Sequence, residues 1–137
     1  MKGLFKPISF FTTLVLLFTF AVNVNAQVEV FDDNEPIFVV AEESPEFPGG
    51  DTALYNFIEE NLRYPNTEAD FQGKIILSFI VEKDGSLSNV KLIRGLYKPF
   101  DEEAIRVVKL MPKWKPAKQR GKTVRFQNVL PIKFQIK

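Results

Sequence analysis

Apolar residues recur along this chain with two different periods, and the switches between them mark its elements. Leu54, Phe57, Ile58 and Leu62 fall on one face of a helix. Asp51 suits its cap or first turn, and Pro65 requires it to stop by Tyr64. From Lys74 to Glu82 the period drops to two: Ile75, Leu77, Phe79 and Val81 share one face, and Ile76 and Ile80 the other. Apolar residues on both faces predict a central strand. Asp84-Gly85 is a hairpin turn signal, so Leu87 to Arg94 is the return strand, with Val90 and Leu92 as core candidates. The helical period then returns. Asp101-Glu102-Glu103 opens a second helix with Ala104, Val107, Val108 and Met111 as its buried stripe, closed by Pro112. Arg125 to Ile136 is the last strand, with Phe126, Asn128, Leu130, Ile132, Phe134 and Ile136 on one face and Pro131 on the other. A proline inside a strand marks a sheet edge.

The order helix, strand, strand, helix, strand predicts an α+β fold of two layers. The hairpin pairs the first two strands. A crossover through the second helix brings the third beside the first. The expected three-stranded sheet has spatial order second, first, third, with both helices on one face and one open edge on the last strand.

The N-terminal segment has a different pattern. Lys2 and Lys6 precede an uncharged apolar run from Ile8 to Val22, followed by Val24-Asn25-Ala26. This reads as a secretory signal peptide over residues 1–26, cleaved before Gln27. Its apolar run is short for a membrane span, and a membrane contact is expected only if the segment is retained. Residues 27–43 read as an acidic linker with a candidate strand in Ile37 to Ala41. The remaining 44–137 is the folded domain.

Charge sharpens this division. Residues 27–71 hold 12 acidic residues and one basic, whereas residues 72–137 hold 5 acidic and 15 basic. A basic half suits either an acidic partner or its own acidic half. Nucleic acid is not expected for an exported chain. There is no Cys and no His, which excludes thiol and Ser–His–Asp catalysis and Cys/His zinc sites. The carboxylates at Asp101 to Glu103 and at Glu42, Glu43 and Glu46 are explained by helix capping and linker solvation. No enzyme activity, cofactor or metal is expected.

A set of ordered motifs then carries a resemblance. It comprises Pro45-Glu46-Phe47-Pro48-Gly49-Gly50, Leu62-Arg63-Tyr64-Pro65, Gly73, and Val81-Glu82-Lys83-Asp84-Gly85-Ser86. It continues through Arg94-Gly95, Phe100-Asp101-Glu102-Glu103-Ala104, Met111-Pro112-Lys113-Trp114-Lys115-Pro116 and Gly121-Lys122. Together they resemble the TonB C-terminal domain, in the form common in Bacteroidetes. The resemblance implies a periplasmic module in TonB-dependent transport. It would bind the TonB box, an N-terminal segment of an outer-membrane transporter, by adding it as a strand to the last strand's free edge. The peptide-binding residues so implied are Arg125, Phe126, Gln127, Asn128, Val129, Leu130, Ile132, Lys133, Phe134 and Gln135. Lys113, Trp114, Lys115, Lys118, Arg120, Lys122 and Tyr64 make up the candidate partner surface, although the plainer and favoured reading puts Trp114 in the core and makes Tyr64 a helix stop.

Two departures from that family matter. A full TonB has a retained N-terminal membrane helix bearing a His, and a long Pro-rich spacer. Here there is no His, and the 17 residues of 27–43 reach at most about 60 Å. The alternatives are a membrane-anchored minimal energy transducer and an envelope domain that self-associates through its last strand.

Overall fold

The computed structural model describes residues 34–66 and 72–135. The signal-peptide reading falls outside the described residues. In chain order the elements are β1 (Ile37–Phe38), α1 (Gly50–Asn61), β2 (Gly73–Val81), β3 (Leu87–Arg94), α2 (Lys98–Lys109), β4 (Ala117–Gln119) and β5 (Lys122–Phe134). Strand β2 lies between β3 and β5, antiparallel to both. This is the order expected from the pattern. Two short strands extend it: β1 pairs parallel to β5 on its far side, and β4 forms a hairpin with β5.

One face of this sheet carries the core. Ile75, Leu77, Phe79 and Val81 of β2 are fully buried beside Leu130, Ile132 and Phe134 of β5. Leu54 and Ile58 of α1 and Phe100, Ala104, Val107 and Val108 of α2 close over them. Each of the large side chains is worth about 1.5–3 kcal/mol in apolar area removed from water. Trp114 sits at the centre of an aromatic cluster, 5.4 Å from Phe79 and 5.6 Å from Phe47 between ring centroids.

The helix ends are set locally. Gly49, at φ +89°, turns the chain into α1, and Asp51 falls in the first turn rather than at the cap. Helix α2 begins at Lys98, three residues before the expected acidic start. Pro99 in its first turn is preorganised for that position. Asp101 reaches back to accept the Leu96 N–H at 2.8 Å. Arg106 joins the two helices by donating to the Asn61 carbonyl at 2.7 Å, an orphan acceptor at the end of α1. The same guanidinium pairs with Glu103, which accepts the Arg63 N–H at 2.8 Å.

Two core expectations are corrected. Leu92 is 40% exposed. It stands opposite Leu77, on the core face, but β3 is the edge strand of the sheet among the described residues, so the side chain stays open to solvent. Met111 lies past the end of α2 and is only partly buried.

Candidate functional site

The site is built on β5. Its register with β2 runs unbroken from Phe126↔Val81 to Phe134↔Gly73. The pleat sends Phe126, Leu130, Ile132 and Phe134 inward, and leaves Gln127, Val129, Pro131 and Lys133 exposed. In an antiparallel ladder the N–H and C=O of one residue point to the same side, and successive residues alternate. Pro131 pairs with Ile76 in mid-ladder. With no N–H, a proline fits there when that position faces away from the neighbouring strand. Gln135, four residues on, behaves accordingly: its N–H donates to the Tyr64 hydroxyl at 2.9 Å. The outward groups are therefore those of Gln127, Val129, Pro131 and Lys133. Among the described residues no strand pairs with Val129, Pro131 or Lys133 on that side. In the parallel pairing of Phe38 with Phe126 the Gln127 N–H turns to the Phe38 carbonyl, so the open edge offers N–H donors at 129 and 133 and carbonyls at all four positions.

Both ends of this stretch are closed. At the lower end β1 lies parallel to β5, with Ile37 opposite Arg125 and Phe38 opposite Phe126. Arg125 donates to the Glu35 carbonyl at 3.1 Å and pairs with Glu82, Nε to Oε2 at 2.8 Å. Ser88 donates a further bond to Glu82 at 2.6 Å, and Lys83 pairs with the Glu35 carboxylate. Partial burial alone would raise the Glu82 carboxyl. The hydrogen bonds from Arg125 and Ser88, with the guanidinium charge, outweigh it and hold the group below its ordinary value. The chain then crosses β4, where backbone bonds join Glu43 to Lys118 and Glu46 to Lys115. Glu42 accepts the Arg120 N–H at 3.2 Å. At the upper end the Tyr64 ring stands edge-on to Phe134, centroids 5.6 Å apart, while its hydroxyl caps Gln135.

The sequence-derived residues divide clearly. Gln127, Val129, Lys133 and Gln135 stand on the open side. Phe126, Leu130, Ile132 and Phe134 are core side chains, and their backbone groups turn toward β2. Asn128 is half-buried on the same face. Arg125 is committed to Glu82 and Glu35. Trp114, counted with the partner surface, is only 5% exposed and belongs to the core. Lys113 faces Asp84 at 3.7 Å. Lys115, Lys118 and Arg120 meet the acidic segment 42–46 through their backbones, and Lys122 is exposed at the start of β5. Part of the basic stretch thus serves the chain's own acidic half.

Sequence reasoning missed Glu35, Glu82 and Lys83 at the lower end and Tyr55 at the upper. Glu82 carried a signal, because an acid closing an otherwise apolar strand needs a cation. The others depend on long-range placement. Among the described residues no group of three or more Asp or Glu is placed to hold a metal ion, and no helix is long and apolar enough to cross a membrane.

The model of one protein family, described as Gram-negative bacterial TonB protein C-terminal, matches residues 60–136. The match covers β2, β3, α2, β4 and β5 entire. No curated protein and no solved structure matches the chain.

Proposed function

Because the chain belongs to the Gram-negative bacterial TonB protein C-terminal family, with a TonB-like role in TonB-dependent transport, we propose that it binds an extended segment of an outer-membrane transporter by β-augmentation. The segment, the TonB box, adds as a strand to the outward edge of β5. The observation that carries this reading is the run of unpaired backbone groups from the Gln127 carbonyl to Lys133, closed at both ends and open between them. Such an edge is normally a liability that proteins cover or interrupt. Here it is interrupted at one donor only, Pro131. Main-chain pairing supplies affinity without demanding a particular peptide sequence, as a module serving more than one transporter requires.

The chain acts in the periplasm, exported by a signal peptide removed after Ala26. Gln27 at the mature N-terminus, found by N-terminal sequencing, is the expected result, and a retained Met1 would favour the anchored alternative.

Photo-crosslinking in living cells tests the binding site. A crosslinkable residue replaces Gln127 or Gln135, and the captured species is identified by mass spectrometry. The expected product is a transporter's N-terminal segment. Capture of only a second copy of this chain would overturn the reading in favour of self-association through β5.

A further inference from the structure

The open edge of β5 has a hollow flank on its helix side. A cavity of about 440 Å³ lies between Tyr55 and Ile58 of α1, Leu62 and Tyr64 just beyond it, and Ile132 of β5. Tyr55 is 65% exposed and Tyr64 43%. We propose that this groove is a side-chain subsite that takes one large apolar residue of a docked strand, at the position level with Ile132. The proposal rests on the β-augmentation reading and gives it a sequence preference.

The geometry selects that position. A strand added beside β5 alternates its side chains between the two faces of the sheet. Those level with Leu130, Ile132 and Phe134 point toward the helices. At the Phe134 level the Tyr64 ring already covers the edge. At the Ile132 level the groove lies open, with Tyr55, Ile58, Leu62 and Tyr64 as its apolar walls and Glu59, Lys74, Lys133 and Gln135 also lining it. Exposed tyrosines that offer an apolar face and a polar tip are typical anchors of binding sites. Glu59 and Lys133 stand at the margins with opposite charges, so the neighbours of the buried residue are polar and of either sign.

The chemistry also selects the occupant. A second copy of β5 added antiparallel, as a continuation of the sheet, turns its own core face toward the groove. Its Phe126, Leu130, Ile132 and Phe134 are already buried in their own core, and its exposed residues are Gln127, Val129, Pro131 and Lys133. A short peptide segment with no core of its own carries no such debt. The predicted partner is therefore an extended peptide in which one leucine or aromatic residue stands among polar ones.

The test uses the full chain, isotope-labelled, and a set of synthetic ten-residue peptides of alternating Thr and Ser with a single Leu moved along them. Binding is read from backbone amide shifts over 127–133, and placement from contacts between the Leu methyls and the Tyr55 ring. The peptide with Leu level with Ile132 should bind roughly 10- to 100-fold more tightly than its Leu→Ser form, the worth of one buried large apolar side chain. Tyr55→Ala should abolish most of that preference by weakening the Leu peptide far more than the Leu-free one, and Tyr55→Phe should retain it. Tyr55 is exposed on α1 and Ala favours a helix, so the variant keeps the fold. Equal binding of the Leu and Ser peptides, or equal weakening of both by Tyr55→Ala, would overturn the subsite alone. An absence of amide shifts with every peptide would overturn the augmentation reading and the subsite with it.

Discussion

The two halves of β5 share one partner, β2, and one pleat, yet they have opposite fates on their other side. Around Arg125 and Phe126 the outward position is filled by β1, and a guanidinium, two carboxylates and an ammonium group lock that contact. From the Gln127 carbonyl to Lys133 the same strand presents bare backbone. The contrast shows that edge exposure in this sheet is not a property of the strand. It depends on whether neighbouring segments supply a cover, and the chain supplies one at each end and none between.

The largest expected effect breaks the lower half. Gly85 holds φ +87°, and a Cβ there would lie 2.0 Å from the Trp114 carbonyl oxygen. Its own carbonyl accepts the Trp114 N–H at 2.9 Å. Gly85→Ala should cost about 4 kcal/mol, measured by urea unfolding. A loss below about 1 kcal/mol would show that this approach does not support the route into β4.

Arg125→Ala comes next. It leaves the Glu82 carboxylate, 15% exposed, without its counter-ion and releases the Glu35 carbonyl. The expected cost is about 3 kcal/mol. The pH dependence sharpens the test. The folded Glu82 carboxyl titrates below its unfolded value of about 4.5, so its stabilisation is complete above that pH. It is lost as pH falls from there through the folded value. Glu103 titrates low as well: burial opposes the shift, while Arg106 and the Arg63 N–H more than offset it. Wild type should therefore lose stability in this acid window, and Arg125→Ala should lose less. Parallel acid profiles would rule out the Glu82 pair as a source of that dependence.

A smaller effect belongs to the upper half. Tyr64→Phe keeps the ring on Phe134 but removes the acceptor of the Gln135 N–H, at a cost of about 1 kcal/mol. It also lengthens the open edge by one donor, so faster exchange of the Gln135 amide should accompany the lower Tm. The gentlest test changes nothing in the molecule. Native-state hydrogen exchange should alternate along β5, with 128, 130 and 132 protected by β2 and 129 and 133 exchanging faster. Uniform protection would mean that the outward side is covered after all.

Most of the fold was legible because it rests on periodicity. The stripes of α1 and α2, the alternation of β2 and the Asp84-Gly85 turn each give a local signal. Pro131 marked the edge, and the motif set marked the family. What escaped detection depends on contacts distant in sequence. Strand β4 is three residues of Ala-Lys-Gln, with no alternation to reveal it. The start of β5 at Lys122 is fixed by the tight turn at Arg120 and Gly121, both at positive φ, without the Asn-Gly or Asp-Gly signature. Within 35–43 the acidic composition suggested a solvated linker, whereas Glu35, Glu42 and Glu43 dock on Lys83, Arg120 and Lys118. Charge gave the sign of that pairing but not its address. The groove beside Ile132 likewise needs α1 and β5 in place before Tyr55 and Tyr64 face one hollow.

Trp114 is the only tryptophan in the chain. It is packed edge-on against Phe47 and Phe79, and its indole N–H has no acceptor among the described residues. That places the only indole in a buried aromatic cage, away from the open side of β5. Its emission should lie to the blue in the folded protein and move to the red in one cooperative step on unfolding. Because no outward group of Gln127 to Lys133 belongs to that cage, a docked peptide should leave the spectrum nearly unchanged. Fluorescence therefore reports the integrity of the fold independently of its occupancy, and the two can be followed in the same sample.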